Sequence, residues 1–573
     1  MRIPNYRMRT TITLLIATLL VATAATPAVA AASPAATTDA AEATAVPADA
    51  SPALDQEDDD DTAPADPDDD VIGWEGGYWH NESLDVDRSD GLNGSERERV
   101  AARSMARVEE VRGLEFEETV PVEVISRDEY RNISMERFRN TSGEERLHQN
   151  VKWEATFFVN ESTDAVSAQA SNLGSSVLGF YSPEEDRLVI VSENQTSPRL
   201  EGELTLGHEF HHALQDQHYD LSSIRANTTD GSNANNGLIE GDASYVEYRY
   251  EQRCGEAWDC LDPRGSQQGG ELANFGLYLV SFQPYSDGAA FVEHRYDQGG
   301  WEAVNEVYDA TPESTEQVIY PDRYLSDSPT NVTVEDRSDD EWSVLELNGS
   351  IDHASLGEAG VFTMFMYPFY ESNQQDQLID ARSFFNYQDG SQELDPIDPL
   401  NFTHRYTEGW DGDRLVPYVT DDSAETNETG YVWASAWDSD ADAEQFVTGY
   451  RELLEYRGAE SVDGYDGVYR IPDSEEFGDA FYVDRRGDRV VVVNAPTLDD
   501  LSAVDDDAPD VSESDWTPDG EESSDDGETT ADDGGSGDET TDDDGSGTED
   551  MPGFGIGAAL VALAATALLA RRR

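Results

Sequence analysis

"GHEFHHALQDQHYD", Gly207 to Asp220, holds four of the nine histidines in a chain of 573 residues. In the longer run "TSPRLEGELTLGHEFHHALQDQHYDL", Leu200, Leu204, Phe210, Ala213 and Leu214 recur at helical spacing, with Ser197 placed to cap and Pro198 at the first helical position. His208 and His212 are then i and i+4 on one helix face, about 5 to 6 Å apart, close enough for two imidazoles to share one metal ion. Glu209 follows the first histidine, where it can take a proton from water at such a metal. His211 and His218 point in other directions and take no ligand role.

A hydrolytic zinc site needs three protein ligands and one open position, so a third donor must lie downstream. "GLIEGDASYVE", Gly237 to Glu247, offers Glu240, Asp242 and Glu247, after an interval long enough for the chain to turn back. Gly207 beside the first histidine, and Gly241 and Ala243 beside Glu240, read as keeping two helices slim where they meet. Glu240 is the expected ligand. Glu247, on the same helix face, is the expected outer acid that orients a ligand histidine.

"HEFHHALQDQHYDL" followed by "LIEGDASYVEY" resembles the gluzincin class of zinc metallopeptidases, in which a following helix completes the H-E-x-x-H site, often through an "EG-x-A" sequence. More closely, the chain is similar to a family of haloarchaeal surface proteins and bacterial secreted relatives with "HE-x-x-HALQDQ". That likeness runs through "PYSDGAAFV", "GGWEAVNEVY", "STEQVIYPDRY", "LGEAG" and "GWDGDRLV", roughly residues 100 to 500. The resemblance implies Zn2+ held by His208, His212 and Glu240, Glu209 as general base, and a Tyr or His that holds the oxyanion. Tyr285, Tyr245 and Tyr248 are the candidates for that last role. It also implies an α+β fold: a zincin-like metallopeptidase domain with a mixed sheet and active-site helices, then a smaller α+β region. The sheet edge is expected near Leu188 to Val191, over the metal helix. The activity implied is hydrolysis of a peptide or protein substrate. The competing reading is a non-catalytic, metal-stabilised surface or envelope glycoprotein, against which Glu209 weighs, because a purely structural site needs no base.

The flanks place this domain outside the cell. Residues 1–30 carry Arg2, Arg7 and Arg9, an apolar run and "TPAVA", the pattern of a signal peptide. Residues 31–70 read as a disordered acidic arm, and residues 501–550, with twenty-one acids and no base, as an acidic disordered stalk. Residues 551–573 hold "PGF" (Pro552, Gly553, Phe554), an apolar stretch long enough to span a bilayer, and Arg571 to Arg573. This resembles the PGF-type C-terminal sorting signal of haloarchaeal surface proteins. The resemblance implies a sorting peptidase, and attachment to the membrane through the tail or a lipid that replaces it. Between these flanks the expected division is a zincin-like metal-binding domain over 71–345 and a C-terminal α+β region over 346–500.

The net charge of −86 is not confined to the flanks: residues 71–500 keep eighty-eight acids against thirty bases, or −58. Such repulsion opposes compaction in dilute salt, but at about 1 M the Debye length is only about 3 Å. The composition suits molar salt and argues against a nucleic-acid partner. Lys152 is the sole lysine. Cys254 and Cys260, six apart in an exported chain, are expected to form a disulfide. Eleven N-x-S/T sequons from Asn81 to Asn427 fit a glycosylated exported surface.

Secondary-structure signals fill in the rest. Capping boxes at Ser95/Glu98 and Ser126/Glu129 start two helices, with a strand in "VPVEVIS" between them. Ser182 to Asp186 reads as a turn leading into a strand at Leu188 to Val191. Further helices are expected over 237–252, from Gly299 and from Leu356. The tail of the folded region reads as the strand "YVWASAW", the helix "ADAEQFVTGYRELLEY" and a hairpin turning at Arg486 and Gly487.

Overall fold

In the computed structural model the H-E-x-x-H stretch is helical throughout, inside a 17-residue helix. The structure describes residues 65–517, apart from 140, 178, 193, 199–201, 262–271, 349, 373–374 and 389. The expected signal peptide, most of the acidic arm, the distal stalk and the C-terminal tail lie outside the described residues. Among the described residues no helix is long and apolar enough to cross a membrane.

In chain order the first half contains the hairpin β1 (Trp74–Glu75) and β2 (Tyr78–Trp79), α1 (Gly94–Arg112), β3 (Val122–Ile125), α2 (Arg127–Arg139), α3 (Gly143–Glu154), α4 (Ala165–Ser176), β4 (Gly179–Ser182) and β5 (Arg187–Val191). α5 (Glu203–Tyr219), α6 (Thr229–Glu251), α7 (Phe275–Asn305) and α8 (Thr315–Ile319) follow. The second half runs β6 (Ser343–Val344), α9 (Gly357–Glu371), β7 (Trp410–Val419), α10 (Ser423–Thr426), β8 (Gly430–Trp437), α11 (Asp440–Tyr456), β9 (Glu460–Ser461), β10 (Val468–Arg470), β11 (Ala480–Arg486), β12 (Arg489–Ala495) and α12 (Leu498–Val504). The protein is mixed α+β.

Two sheets matter. A small one has the order β3-β5-β4, with β3 parallel and β4 antiparallel to β5. It is mixed, as expected, but Leu188 to Val191 lies at its centre, and the edge tied to α5 is β4, a strand of four residues that reads in sequence as the approach to a turn. Leu188 and Ile190 of β5 share a core with Leu206, Phe210 and Leu214 of α5 and with Val246 and Tyr250 of α6. The larger sheet, order β6-β7-β8-β12-β11-β10-β9, is antiparallel at every pairing. On one face Phe446 and Tyr450 of α11 pack on Trp433 and Trp437 of β8; on the other Leu498, Leu501 and Val504 of α12 pack on Val432 and Val493.

Packing crosses the expected division at 345/346: Ser343 pairs with Val419, Asp230 at the start of α6 donates its N–H to the Ser355 carbonyl, and one core joins Val280 of α7 to Phe362 of α9 and Trp433 of β8. The expected start of the stalk at 501 is corrected, because Leu501, Val504, Ala508 and Val511 are buried against the large sheet. Asp505 to Asp507 share the tail's composition, yet the apolar residues between the acids are enough to anchor the segment.

Caps and starts also differ in detail. α1 begins two residues early, with the capping box at Asn93 and Glu96, and ends at Gly113 in the left-handed region. The Ser126/Glu129 box is formed as expected. α5 starts at Glu203 rather than at Pro198. Extended Gly202 precedes it, and Pro198 gives its carbonyl to Leu92 N–H. α6 begins at Thr229, well before 237, because Thr228 caps Gly231 N–H. The helix expected from Gly299 is the end of α7, resumed after a break at Gly299 and Gly300, the latter at φ 66°.

Candidate metal centre

α5 presents one face to the core and the other to α6. Gly207 fulfils its expected part: a Cβ there would lie 3.3 Å from the Tyr250 ring of α6. Gly241 does not. A Cβ on it would sit 2.2 Å from the Gly288 carbonyl oxygen, so it serves the crossing of α6 with α7 rather than with α5. The expectation is corrected because a single sequence shows that a helix must be slim without showing against what.

Across the α5–α6 contact, His208, His212 and Glu240 come together, with donor atoms within 4.8 Å of one another. His208 Nε2 lies 3.3 Å and His212 Nε2 3.2 Å from the same oxygen, Glu240 Oε2. Zinc bonds of about 2.0 to 2.1 Å at a tetrahedral angle would set neighbouring donors about 3.3 Å apart, so the spacing fits the group. The outer nitrogens are both held. His208 Nδ1 donates to Glu247 Oε2 at 3.0 Å, and His212 Nδ1 to Gln215 Oε1 at 2.8 Å. A carboxylate and a carbonyl oxygen can only accept, so each imidazole keeps a proton on Nδ1, and in a neutral ring Nε2 is the nitrogen left to ligate beside Glu240. Glu247 therefore lies against the nitrogen of His208 that faces away from Glu240.

The electrostatics show what this cluster draws. Burial works against charge on His208, but its hydrogen bonds to the Glu240 and Glu247 carboxylates outweigh it and raise the ring to about 10; His212 is raised by Glu240 in the same sense. Burial likewise opposes the Glu240 charge, and the two imidazoles hold it down at about 2. A buried carboxylate that pulls two imidazoles toward their cationic form is a centre short of positive charge, and a dication meets that need with both rings neutral.

Glu209 is 1% exposed, and its Oε2 accepts the Tyr181 N–H of β4 at 3.0 Å. The Tyr181 hydroxyl donates to Asp216 Oδ2 at 3.0 Å, so the edge strand is tied to α5 at two points a little under two turns apart. His211 faces away: its Nε2 lies 3.2 Å from Asp242 Oδ2, and Asp242 pairs with the Arg112 guanidinium, all of them buried. Despite burial, Arg112 and then His211 hold Asp242 well below the usual carboxylate range. Asp242 is thereby removed as a rival ligand. His218 Nε2 donates to the Glu115 carbonyl at 2.8 Å.

Sequence reasoning missed Gln215, Tyr308 and Tyr181. Gln215 Nε2 donates to the Ile239 carbonyl at 2.8 Å and to the Tyr308 hydroxyl at 2.7 Å, and Tyr308 donates to Asp242 Oδ2 at 2.8 Å. One chain of bonds thus runs from His212 to the buried Asp242–Arg112 pair. The signal available was Gln215's place one turn after His212 on the same helix. Of the three oxyanion candidates, Tyr245 takes a hydrogen bond from Arg249 and packs on Tyr296 and Trp301. Tyr248 stacks on Tyr245, and Tyr285 stacks on Phe282. The disulfide Cys254–Cys260 is formed.

Among the described residues two other acid groups have metal-like spacing. Glu316, Asp327 and Asp438 already surround Arg323, which pairs with all three. Glu154, Glu161 and Asp479 contain no histidine and include the exposed Glu161.

Comparison with known proteins gives two matches. Residues 344–505 match the model of a domain of unknown function (DUF8575), and residues 551–573 match the PGF-CTERM motif. No curated protein and no solved structure matches. The C-terminal motif is that of haloarchaeal surface-anchored proteins and implies processing of the tail by a sorting protease. The chain is exported and anchored at the cell membrane.

Proposed function

We propose that the protein is a cell-surface zinc metallopeptidase of gluzincin type, with a zincin-like catalytic domain, hydrolysing peptide bonds in high salt. The observation that carries this reading is the convergence of both Nε2 atoms on Glu240, each imidazole locked by its own outer partner, with Glu209 next to the first. His208, His212 and Glu240 would hold the metal. Zinc held there supplies Lewis acidity, acidifying water and polarising a carbonyl. Glu209 accepts the proton of the attacking water and returns it to the leaving amine. Tyr181 N–H fixes that carboxylate relative to β4, so the base and the edge strand keep one geometry. Glu247 and Gln215 keep the imidazoles in the ligating tautomer.

One observation favours the second reading, a metal that only stabilises a surface glycoprotein: His208, Glu209 and Glu240 are all 4% exposed or less. The experiment that separates the two is metal analysis and proteolysis in molar salt, comparing the purified exported protein with Glu209→Gln. Zinc retained at one per chain with activity abolished supports the peptidase. Equal activity in both proteins would overturn Glu209 as the base, and none in wild type with zinc bound supports the structural role.

A further inference from the structure

The only lysine in a chain with 122 Asp and Glu is buried and has no carboxylate partner among the described residues. Lys152, on α3, is 6% exposed; its Nζ donates to Thr229 Oγ1 at 3.0 Å and lies 4.3 Å from the Trp153 ring centre. An ammonium has three N–H donors, so these contacts leave it incompletely matched. Burial alone pulls it down to about 7, with no neighbouring acid opposing. In so acidic a protein a buried cation could have been paired with ease, and the buried arginines among the described residues are: Arg103 and Arg107 with Glu203, Arg112 with Asp242, Arg470 with Glu513.

His148 lies one turn before Lys152 on the same face of α3 and is also 6% exposed. Its Nε2 is buried and has no hydrogen-bond partner among the described residues. Burial, then the neighbouring Lys152 and His353, push its pKa down to about 4, so the ring is neutral and can offer an N–H. Thr229 is the first residue of the 23-residue α6, and its hydroxyl, already accepting from Lys152, brings the positive end of that helix dipole to the ammonium. At the rim His353 lies 3.5 Å from Arg414. The acid that faces His353, Asp352, is itself largely exposed.

We propose that Lys152, His148 and the N-terminus of α6 form a binding site for one small monovalent anion, which is chloride in the salt where the protein works. The charge sets the valence: one ammonium beside a helix end whose first turn also carries the buried acid Asp230 balances at most a single negative charge, and a dianion would leave excess negative charge in a chain at −86. The burial of both side chains suits a compact ion. The site stands apart from the metal centre, since Thr229 precedes Glu240 by eleven residues, about 16 Å along α6. Its consequence is structural: an anion there ties α3 to the helix that supplies Glu240.

The test uses the full exported chain at one fixed, high potassium concentration, with gluconate progressively replaced by chloride. Wild type should show a saturable rise of several degrees in melting temperature, Lys152→Met should lose that rise, and sulfate should not reproduce it. A flat response, or the same rise in Lys152→Met, would overturn the proposal. Should Lys152→Met not fold, wild-type crystals grown in bromide decide: an anomalous peak between Lys152 Nζ and Thr229 supports the site, and its absence refutes it.

Discussion

His212 Nδ1 donates to Gln215 Oε1 across 2.8 Å, and that bond decides which nitrogen of His212 is left to bind a metal. Gln215 is itself held by the Ile239 carbonyl and Tyr308, so its carbonyl oxygen cannot turn away. Gln215→Leu should therefore weaken zinc binding by about 10- to 100-fold while α5 remains folded. Competition with a zinc chelator, with circular dichroism as the folding control, reads this out. Unchanged affinity would mean that the tautomer needs no help.

The three acids of "IEGDASYVE" should separate cleanly. Glu240→Ala removes a donor and should lose most of the zinc; Glu247→Ala removes only the acceptor of His208 Nδ1–H and should weaken zinc binding less. Asp242→Ala should act on folding instead, because it strands Arg112 and His211 in the interior, at a cost of about 3 to 5 kcal/mol. Zinc content and melting temperature measured on all three variants test the order. If Glu247→Ala lost more zinc than Glu240→Ala, the ligand assignment would be reversed.

Gly241→Ala should be far more damaging than a methyl group suggests. The added carbon would lie 2.2 Å from the Gly288 oxygen and 2.4 Å from its carbonyl carbon, and both belong to backbone, which has no rotamer to change. α6 and α7 must move apart, with a loss of at least about 1 to 3 kcal/mol. Because Glu240 precedes Gly241, zinc affinity should fall together with melting temperature. A variant as stable as wild type would show that the helices do not cross so closely.

What the sequence made legible follows from where each constraint lives. His208, Glu209 and His212 lie on one helix, and i, i+4 spacing is enough to place them together. The β8 strand, α11 and the β11–β12 hairpin were visible because each is a long periodic run, and strands and helices of that kind give the mixed α+β class. Glu240 and Glu247 share a helix face, and only the contact with α5 shows which carboxylate meets Nε2 and which meets Nδ1. The partner of Gly241 and the edge position of β4 depend on packing between distant segments, which no local pattern records. Gly179 to Ser182 is too short to show a strand period of its own. The stalk boundary failed for another reason: acids at 505–507 carry the tail's composition while Val504 and Val511 carry the core's.

Buried carboxyls should give the protein a pH dependence opposite to that of most proteins near neutrality. Glu358 is fully buried; its Oε1 accepts from the Tyr320 hydroxyl at 3.1 Å and the Thr407 hydroxyl at 3.2 Å, while Oε2 is buried with no partner among the described residues. Burial, with Glu316 adding to it, raises its pKa well above 4.5, so the folded protein keeps this proton to higher pH than the unfolded chain does. The unfolded chain releases it near 4.5. From that pH upward the unfolded state is favoured, and stability falls by at most about 1.4 kcal/mol per pH unit for such a group. Asp230, raised by burial to about 7, works in the same sense up to that pH, while His148, lowered to about 4, works in the opposite sense below about 6.5. Glu358→Gln isolates one contributor: it keeps an acceptor for Tyr320 and Thr407 and cannot ionise. Melting temperatures of both proteins from pH 5 to pH 8 at constant molar salt should show the variant gaining on wild type as pH rises. A difference that does not change with pH would mean that Glu358 carries no extra proton in the folded state.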